Sequence, residues 1–328
     1  QDQKSDDSSA KESARYDKSL GEKPKQFFKA LPAAELTQEN AMVKLGHKLY
    51  FDTRLSKEGN ISCNSCHNLE TYGVDNLPFS PGDDGTLGGR NSPTTLNAAL
   101  HTTQFWDGRA AHVEEQAGMP ILNPVEMAIP SKEFLVDRLS QIEEYQNLFK
   151  EAYPESGNAL TYENIQNAIG AFERTLITPS RFDKYMEGDK TALTVEEKKG
   201  MLSFINTGCV QCHTGPLLGG NVNQKFGVYG NYWEATKSKK IDEGIAEVTG
   251  NEMDKYMFKV PSLRNVEKTG PYFHDGSVVD LGESVKIMGK LQLNKDLSDS
   301  EVKNIVAFLK ALTGEVPQFA QKAPVVNS

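Results

Sequence analysis

A chain of 328 residues with 38% hydrophobic content has room for two folded domains, with one large domain as the alternative on length alone. Its formal charge of -9 argues against nucleic acid as a partner and leaves room for basic or weakly charged proteins. No apolar run nears the roughly 20 residues that a membrane span needs, so the chain reads as soluble.

The first residues, QDQKSDDSSAKESARYDKSLGEKPK, are polar, of mixed charge and without the apolar stretch of a signal peptide. They read as the leader of an exported, processed chain, and residues 1–26 as a flexible tail too polar to bury a core. From Glu39 to Asp52, Met42, Leu45 and Leu49 recur at helical spacing. A second helix is expected over Ser131–Tyr153, and a third from Tyr162 to Leu176, broken by Thr178-Pro179-Ser180. That break sets the domain boundary: 27–178, then 179–314, then a short tail over 315–328. Thr194 with Glu197 and Ser298 with Glu301 are capping boxes that open two further helices, closed by Gly208 and Gly314. Residues 214–290 show little periodicity and read as an irregular binding region. A weak internal repeat relates the helix of Leu45, Gly46, Leu49 and Phe51 before Cys63 to that of Gly200, Met201, Leu202 and Phe204 before Cys209. With strand signals sparse, the fold class is mainly α.

All four cysteines lie in Cys63-x-x-Cys66-His67 and Cys209-x-x-Cys212-His213. This is C-x-x-C-H, the attachment sequence of c-type haem, in which two thiols reach the vinyl groups and the histidine lies beneath the iron as proximal ligand. A zinc site explains the cysteines but not the histidine after each pair, and a redox dithiol explains neither histidine. A disulfide scaffold would need a shorter, cysteine-dense chain. Two c-type haems imply assembly outside the bacterial cytoplasm. The second axial position of each decides between electron transfer and catalysis.

Around these sites the blocks Gly89-Arg90-Asn91-Ser92-Pro93-Thr94, Gln104-Phe105-Trp106-Asp107-Gly108-Arg109, Glu115-Gln116-Ala117, Asn123-Pro124-Val125-Glu126-Met127 and Pro271-Tyr272-Phe273-His274-Asp275-Gly276 follow in order. Together they resemble the bacterial dihaem cytochrome c peroxidases over about residues 40–312, within the wider MauG-like group. The resemblance implies two cytochrome c-like domains, each with one haem: a peroxidatic, low-potential haem on His67 and a high-potential haem on His213 with Met288 as its thioether ligand. It implies Glu126 as the distal carboxylate that moves the peroxide proton, Gln116 as the neighbouring amide and Trp106 as the aromatic bridge between haems. It further implies Ca2+ bound by Asn91 and the carbonyls of Thr269 and Pro271, a conformational role for His274, and a homodimer in the periplasm. Hydrogen peroxide would be the substrate, with electrons from a small monohaem cytochrome c or a cupredoxin. His47, His101 and His112 take no role from the resemblance.

One position departs. Where most of the family carries a distal histidine, sixteen residues after the proximal one, this chain has Asp83, and Asn91 follows in register. Three readings stand: the peroxidatic iron needs no reductive activation, which is favoured; Asp83 itself ligates; or His101 or His112 substitutes. The rival functions are a dihaem electron carrier and a MauG-like enzyme that oxidises a partner protein. Met288 disfavours the second, because that group has a tyrosine there.

Overall fold

Residues 2–324 are described in the computed structural model, with side chains from residue 8 onward. Residue 1 and residues 325–328, the outer parts of the two expected tails, lie outside the described residues. In chain order the helices are α1 (Asp2–Leu20), α2 (Lys23–Phe27), α3 (Ala41–Phe51), α4 (Cys63–Cys66), α5 (Val113–Leu122), α6 (Lys132–Ser140) and α7 (Glu143–Ala152). They continue with α8 (Tyr162–Glu173), α9 (Arg181–Met186), α10 (Val195–Thr207), α11 (Tyr232–Thr236), α12 (Ala246–Thr249), α13 (Leu281–Leu293) and α14 (Asp299–Lys310). Two three-residue strands, β1 (Asn223–Lys225) and β2 (Met257–Lys259), pair antiparallel with Gln224 opposite Phe258. The protein is mainly helical, and no helix among the described residues is long and apolar enough to cross a membrane.

The chain divides into two compact units. The N-terminal unit is Ala33–Ile177 with His274–Gly276 and the residues from Val316 onward; the C-terminal unit is Thr178–Phe273 and Ser277–Glu315 with the residues up to Pro32. The core of the first is α3 against α8, where Val43, Leu45, Leu49 and Tyr50 meet Ile165, Ile169 and Phe172. That of the second is α10 against α14, where Met201, Phe204 and Ile305 pack with Phe308, Phe28 and Phe182. Each pair crosses at a glycine. A Cβ on Gly46 would lie 1.8 Å from the Ala168 carbonyl oxygen, and one on Gly200 would lie 1.9 Å from that of Asn304. The weak repeat thus has a physical content: in each unit the helix before the haem motif carries the one small residue that lets two backbones touch.

Both expected tails are corrected by the structure. The N-terminal residues form α1 and α2, and α1 docks on its own unit through polar anchors. The Lys198 ammonium, fully buried, donates to Ser13 Oγ at 2.7 Å and Asp17 Oδ2 at 2.8 Å, and the Tyr185 hydroxyl donates to Asp17 Oδ1. Leu20 is buried in the same core. Composition alone misses this, because the segment needs few apolar residues when its partners supply the charge. At the other end Val316 and Ala320 enter the N-terminal core, and His47 Nε2 lies 2.8 Å from the Lys322 carbonyl oxygen.

Two helix expectations change as well. The helix expected over Ser131–Tyr153 is two, α6 and α7, parted where Ile142 turns extended before the acidic pair Glu143 and Glu144 opens α7. The region expected to be irregular to residue 290 contains the start of α13, on which Met288 lies. Asp280 caps this helix by accepting from the Glu283 amide at 2.7 Å. Both capping boxes form as expected, Thr194 with Glu197 and Ser298 with Glu301.

Candidate haem and peroxide site

In the N-terminal unit Cys63 and Cys66 stand on the single turn α4, whose Ser62 and Ser65 cap each other's backbone. His67 leaves this turn with its carbonyl held by the Tyr50 hydroxyl at 2.7 Å, which also meets Thr95 Oγ1 at 3.0 Å. Its Nδ1 is buried without a hydrogen bond of ordinary geometry. In the C-terminal unit Cys209 begins a 3-10 turn just after the left-handed Gly208, which ends α10. His213 Nδ1 is 2.8 Å from the Leu218 carbonyl oxygen, which fixes the proton there and leaves Nε2 as the lone-pair donor. Burial holds both imidazoles below the ordinary histidine value and hence neutral, the ligating form.

All four cysteines are free of disulfides. Burial pushes the Cys66 thiol up to about 11 and Cys209 to about 12, with Cys63 raised further. A redox dithiol needs the opposite shift. Among the described residues no group of three or more His, Cys, Asp or Glu side chains is placed to hold a metal ion. Two neutral histidines, each behind a pair of cysteines free of disulfides, fit covalent haem attachment.

Three side chains gather around Cys66. The Ser80 hydroxyl and the carboxylates of Asp75 and Glu126 all act on this thiol, and Ser80 donates to Asp75 Oδ2 at 2.5 Å. Glu126 is half-buried. Desolvation raises its carboxyl above the ordinary value, against a hydrogen bond from Asn123 Nδ2 at 2.9 Å and the charge of Arg109. Arg109 is in turn held by the buried Asp107, which also binds Arg90, and its guanidinium lies 3.5 Å from the centre of the Phe105 ring. Asn123, Arg109 and Asp107 lie inside the blocks that carry the resemblance, but nothing in their spacing gave them a role. Gln116 is half-buried on α5, and the chain after α5 folds back so that the Met127 amide donates to the Pro120 carbonyl.

Residues 80–88 form a closed turn, with Gly82 N donating to Thr86 O and Gly88 N to Ser80 O. Its Asp83 is buried, and both carboxylate oxygens are hydrogen-bonded: Oδ2 accepts from the Glu58 amide at 2.6 Å and Oδ1 from the Asn60 amide at 3.2 Å. The Asp83 amide donates to the Glu126 carbonyl at 2.8 Å. A Cβ on Gly82 would lie 2.0 Å from the Val125 carbonyl oxygen, so only glycine allows this approach. The loop in which a distal histidine was expected is therefore a clamp, with Asp83 joining residues 58–60 to the segment that carries Glu126.

The remaining expected residues are placed as follows. Trp106 is half-buried, and its indole N–H donates to the Asn91 carbonyl at 2.9 Å. Its ring meets the edge of the buried His274, whose carbonyl accepts from Asn91 N. Asn91 Nδ2 donates to the Leu77 carbonyl at 2.8 Å, which leaves Oδ1 as its acceptor. Asn91 belongs to the N-terminal unit and Thr269 and Pro271 to the C-terminal one. Met288 is half-buried on α13 in the same unit as His213. His112 caps α5, its Nδ1 accepting from the Glu115 amide. His101 closes the 3-10 turn Ala98–Leu100, and His47 stacks on Phe172.

A profile of the di-haem cytochrome c peroxidases matches residues 40–191. The chain is 47% identical over 297 residues to the cytochrome c551 peroxidase of Nitrosomonas europaea, covering 90% of this chain and 86% of that one. It is 45% identical to the cytochrome c551 peroxidase of Pseudomonas aeruginosa, over 84% of this chain and 79% of that one. Among solved structures, a MauG-like protein associated with microbial copper homeostasis superposes with a TM-score of 0.78 at 27% identity, over 90% of this chain and 97% of that one.

Proposed function

This chain belongs to the di-haem cytochrome c peroxidases and is an enzyme of that class; on that premise we propose that it reduces hydrogen peroxide to two waters, with two protons and two electrons, and needs no reductive activation. The two c-type haems that the family implies supply, when bound, the redox chemistry of the two electrons. Cys63, Cys66 and His67 would hold the peroxidatic haem; Cys209, Cys212, His213 and Met288 would hold the haem that receives electrons. Glu126 takes the proton from one peroxide oxygen and returns it to the other, so that the departing oxygen leaves as water. Gln116 offers an amide N–H to the peroxide, and Trp106 is the aromatic relay. A carrier has no use for a desolvated carboxylate at Glu126, which favours the enzyme.

The observation that carries the absence of activation is the engagement of Asp83. Its carboxylate already accepts two backbone amides, and withdrawing it to serve as a ligand would orphan both. The loop offers no imidazole in its place, and His112 is committed to its helix cap. The fully oxidised protein, mixed with hydrogen peroxide and a reduced small cytochrome c, is expected to oxidise the donor with no lag. A lag that prior reduction abolishes contradicts this reading.

The same reading places the enzyme in the periplasm as a homodimer, served by a monohaem cytochrome c or a cupredoxin. The resemblance also supplies its Ca2+, with oxygen donors from Asn91, Thr269 and Pro271, a mixed amide and carbonyl set of the kind that Ca2+ accepts.

A further inference from the structure

The carbonyl that faces His213 is held by more than its own turn. Leu218, which supplies it, has a φ of 49°, a left-handed conformation that a leucine keeps only where its surroundings impose it. The surroundings are residues 262–264. The Leu263 amide and the Ser262 hydroxyl both donate to the Leu217 carbonyl, at 3.0 and 3.1 Å, and Arg264 Nε donates to the Pro216 carbonyl at 2.7 Å. Arg264 is itself 1% exposed, with its two terminal nitrogens forked on the Asp183 carboxylate at 2.7 and 2.9 Å. Asp183 is tied in turn to the Ser180 and Leu31 amides. A buried ion pair gains little stability over an apolar pair of the same shape. What it supplies here is position: a planar fork fixed on one side by a carboxylate and aimed on the other at a backbone carbonyl.

We propose that the Arg264–Asp183 pair is a positioning device for His213, holding the 216–218 turn so that the Leu218 carbonyl accepts the Nδ1 proton and tunes the haem of the C-terminal unit. The inference rests on the reading of His213 as that haem's proximal ligand. A carbonyl bound to Nδ1–H makes Nε2 a stronger donor, and a stronger donor favours the oxidised metal. Loosening the turn therefore raises the midpoint potential. Loss of a nearby positive charge would lower it, so the variants must keep the charge. Arg264→Lys retains the cation but loses the fork, and Ser262→Ala removes the hydrogen bond to the Leu217 carbonyl and the one from the Arg264 amide without touching any charge.

The test is a spectroelectrochemical titration of the two-haem protein. The potential of the His213 haem is expected to rise in both variants, more in Arg264→Lys, while that of the His67 haem stays where it is. Should Arg264→Lys not fold, Ser262→Ala decides alone. Unchanged potentials, or equal shifts at both haems, in a variant with two intact haem spectra would overturn the proposal. A His213→Ala protein that still shows the spectrum of a histidine-ligated second haem would overturn the ligand assignment instead.

Discussion

Glu126→Gln is expected to cut turnover by about 10²–10⁴-fold while both haem spectra remain in place. Glutamine keeps the shape of the side chain and can still accept from Asn123, but it cannot take up a proton, and that transfer is the step assigned to Glu126. The pH behaviour follows from the environment. Burial lifts this carboxyl above the ordinary range, against Asn123 and Arg109. Activity should therefore fall with decreasing pH at a point above the usual carboxylate value. The effect on stability has the opposite sense. A group whose folded value is raised contributes stability that is present below its unfolded value and is lost as pH rises through the folded one. Glu126→Gln should match the parent in acid and exceed it in thermal stability at neutral pH. Unchanged turnover would remove Glu126 from the mechanism, and lower stability at neutral pH would contradict the origin of the shift.

The second large effect concerns the scaffold. Gly200→Ala, and likewise Gly46→Ala, should destabilise the protein by roughly 3 kcal/mol or more. Helix propensity alone predicts the reverse, since alanine gains about 1 kcal/mol over glycine within a helix. The contact decides the sign. Each new methyl would sit under 2 Å from a carbonyl oxygen of the facing helix, and neither backbone can yield without separating α10 from α14 or α3 from α8. The check is a shift in denaturation midpoint at unchanged m-value. A neutral or stabilising result would show that the helices do not cross at the glycines.

The readability of this chain varied with the range of the interactions involved. Cys63–His67 and Cys209–His213 are local motifs, as are the capping boxes at Thr194 and Ser298, and all are visible as spacing. The start of α13 was not read from the sequence, because Gly282 and Gly289 blunt its apolar period; in the fold it is set by Asp280, which accepts from the Glu283 amide. The helix α1 was not legible, because what docks it is Lys198, some 180 residues away, and a polar segment shows no sign of such a partner. Asp83 is the sharpest case. Its place in the register followed from the resemblance, but its work could not be read from the sequence, because the amides of Glu58 and Asn60 reach it only through the tertiary fold. The same holds for Arg264, whose neighbours Asp183 and Pro216 come from different parts of the chain.

The central claim is that the peroxidatic site is ready in the oxidised protein because Asp83 serves as a clamp. It is tested most directly by electron paramagnetic resonance of the fully oxidised, two-haem protein before any reductant is added. The account predicts one high-spin ferric signal from the His67 haem beside one low-spin signal from the His213 haem. Two low-spin signals, with the high-spin species emerging only after one-electron reduction, would contradict it.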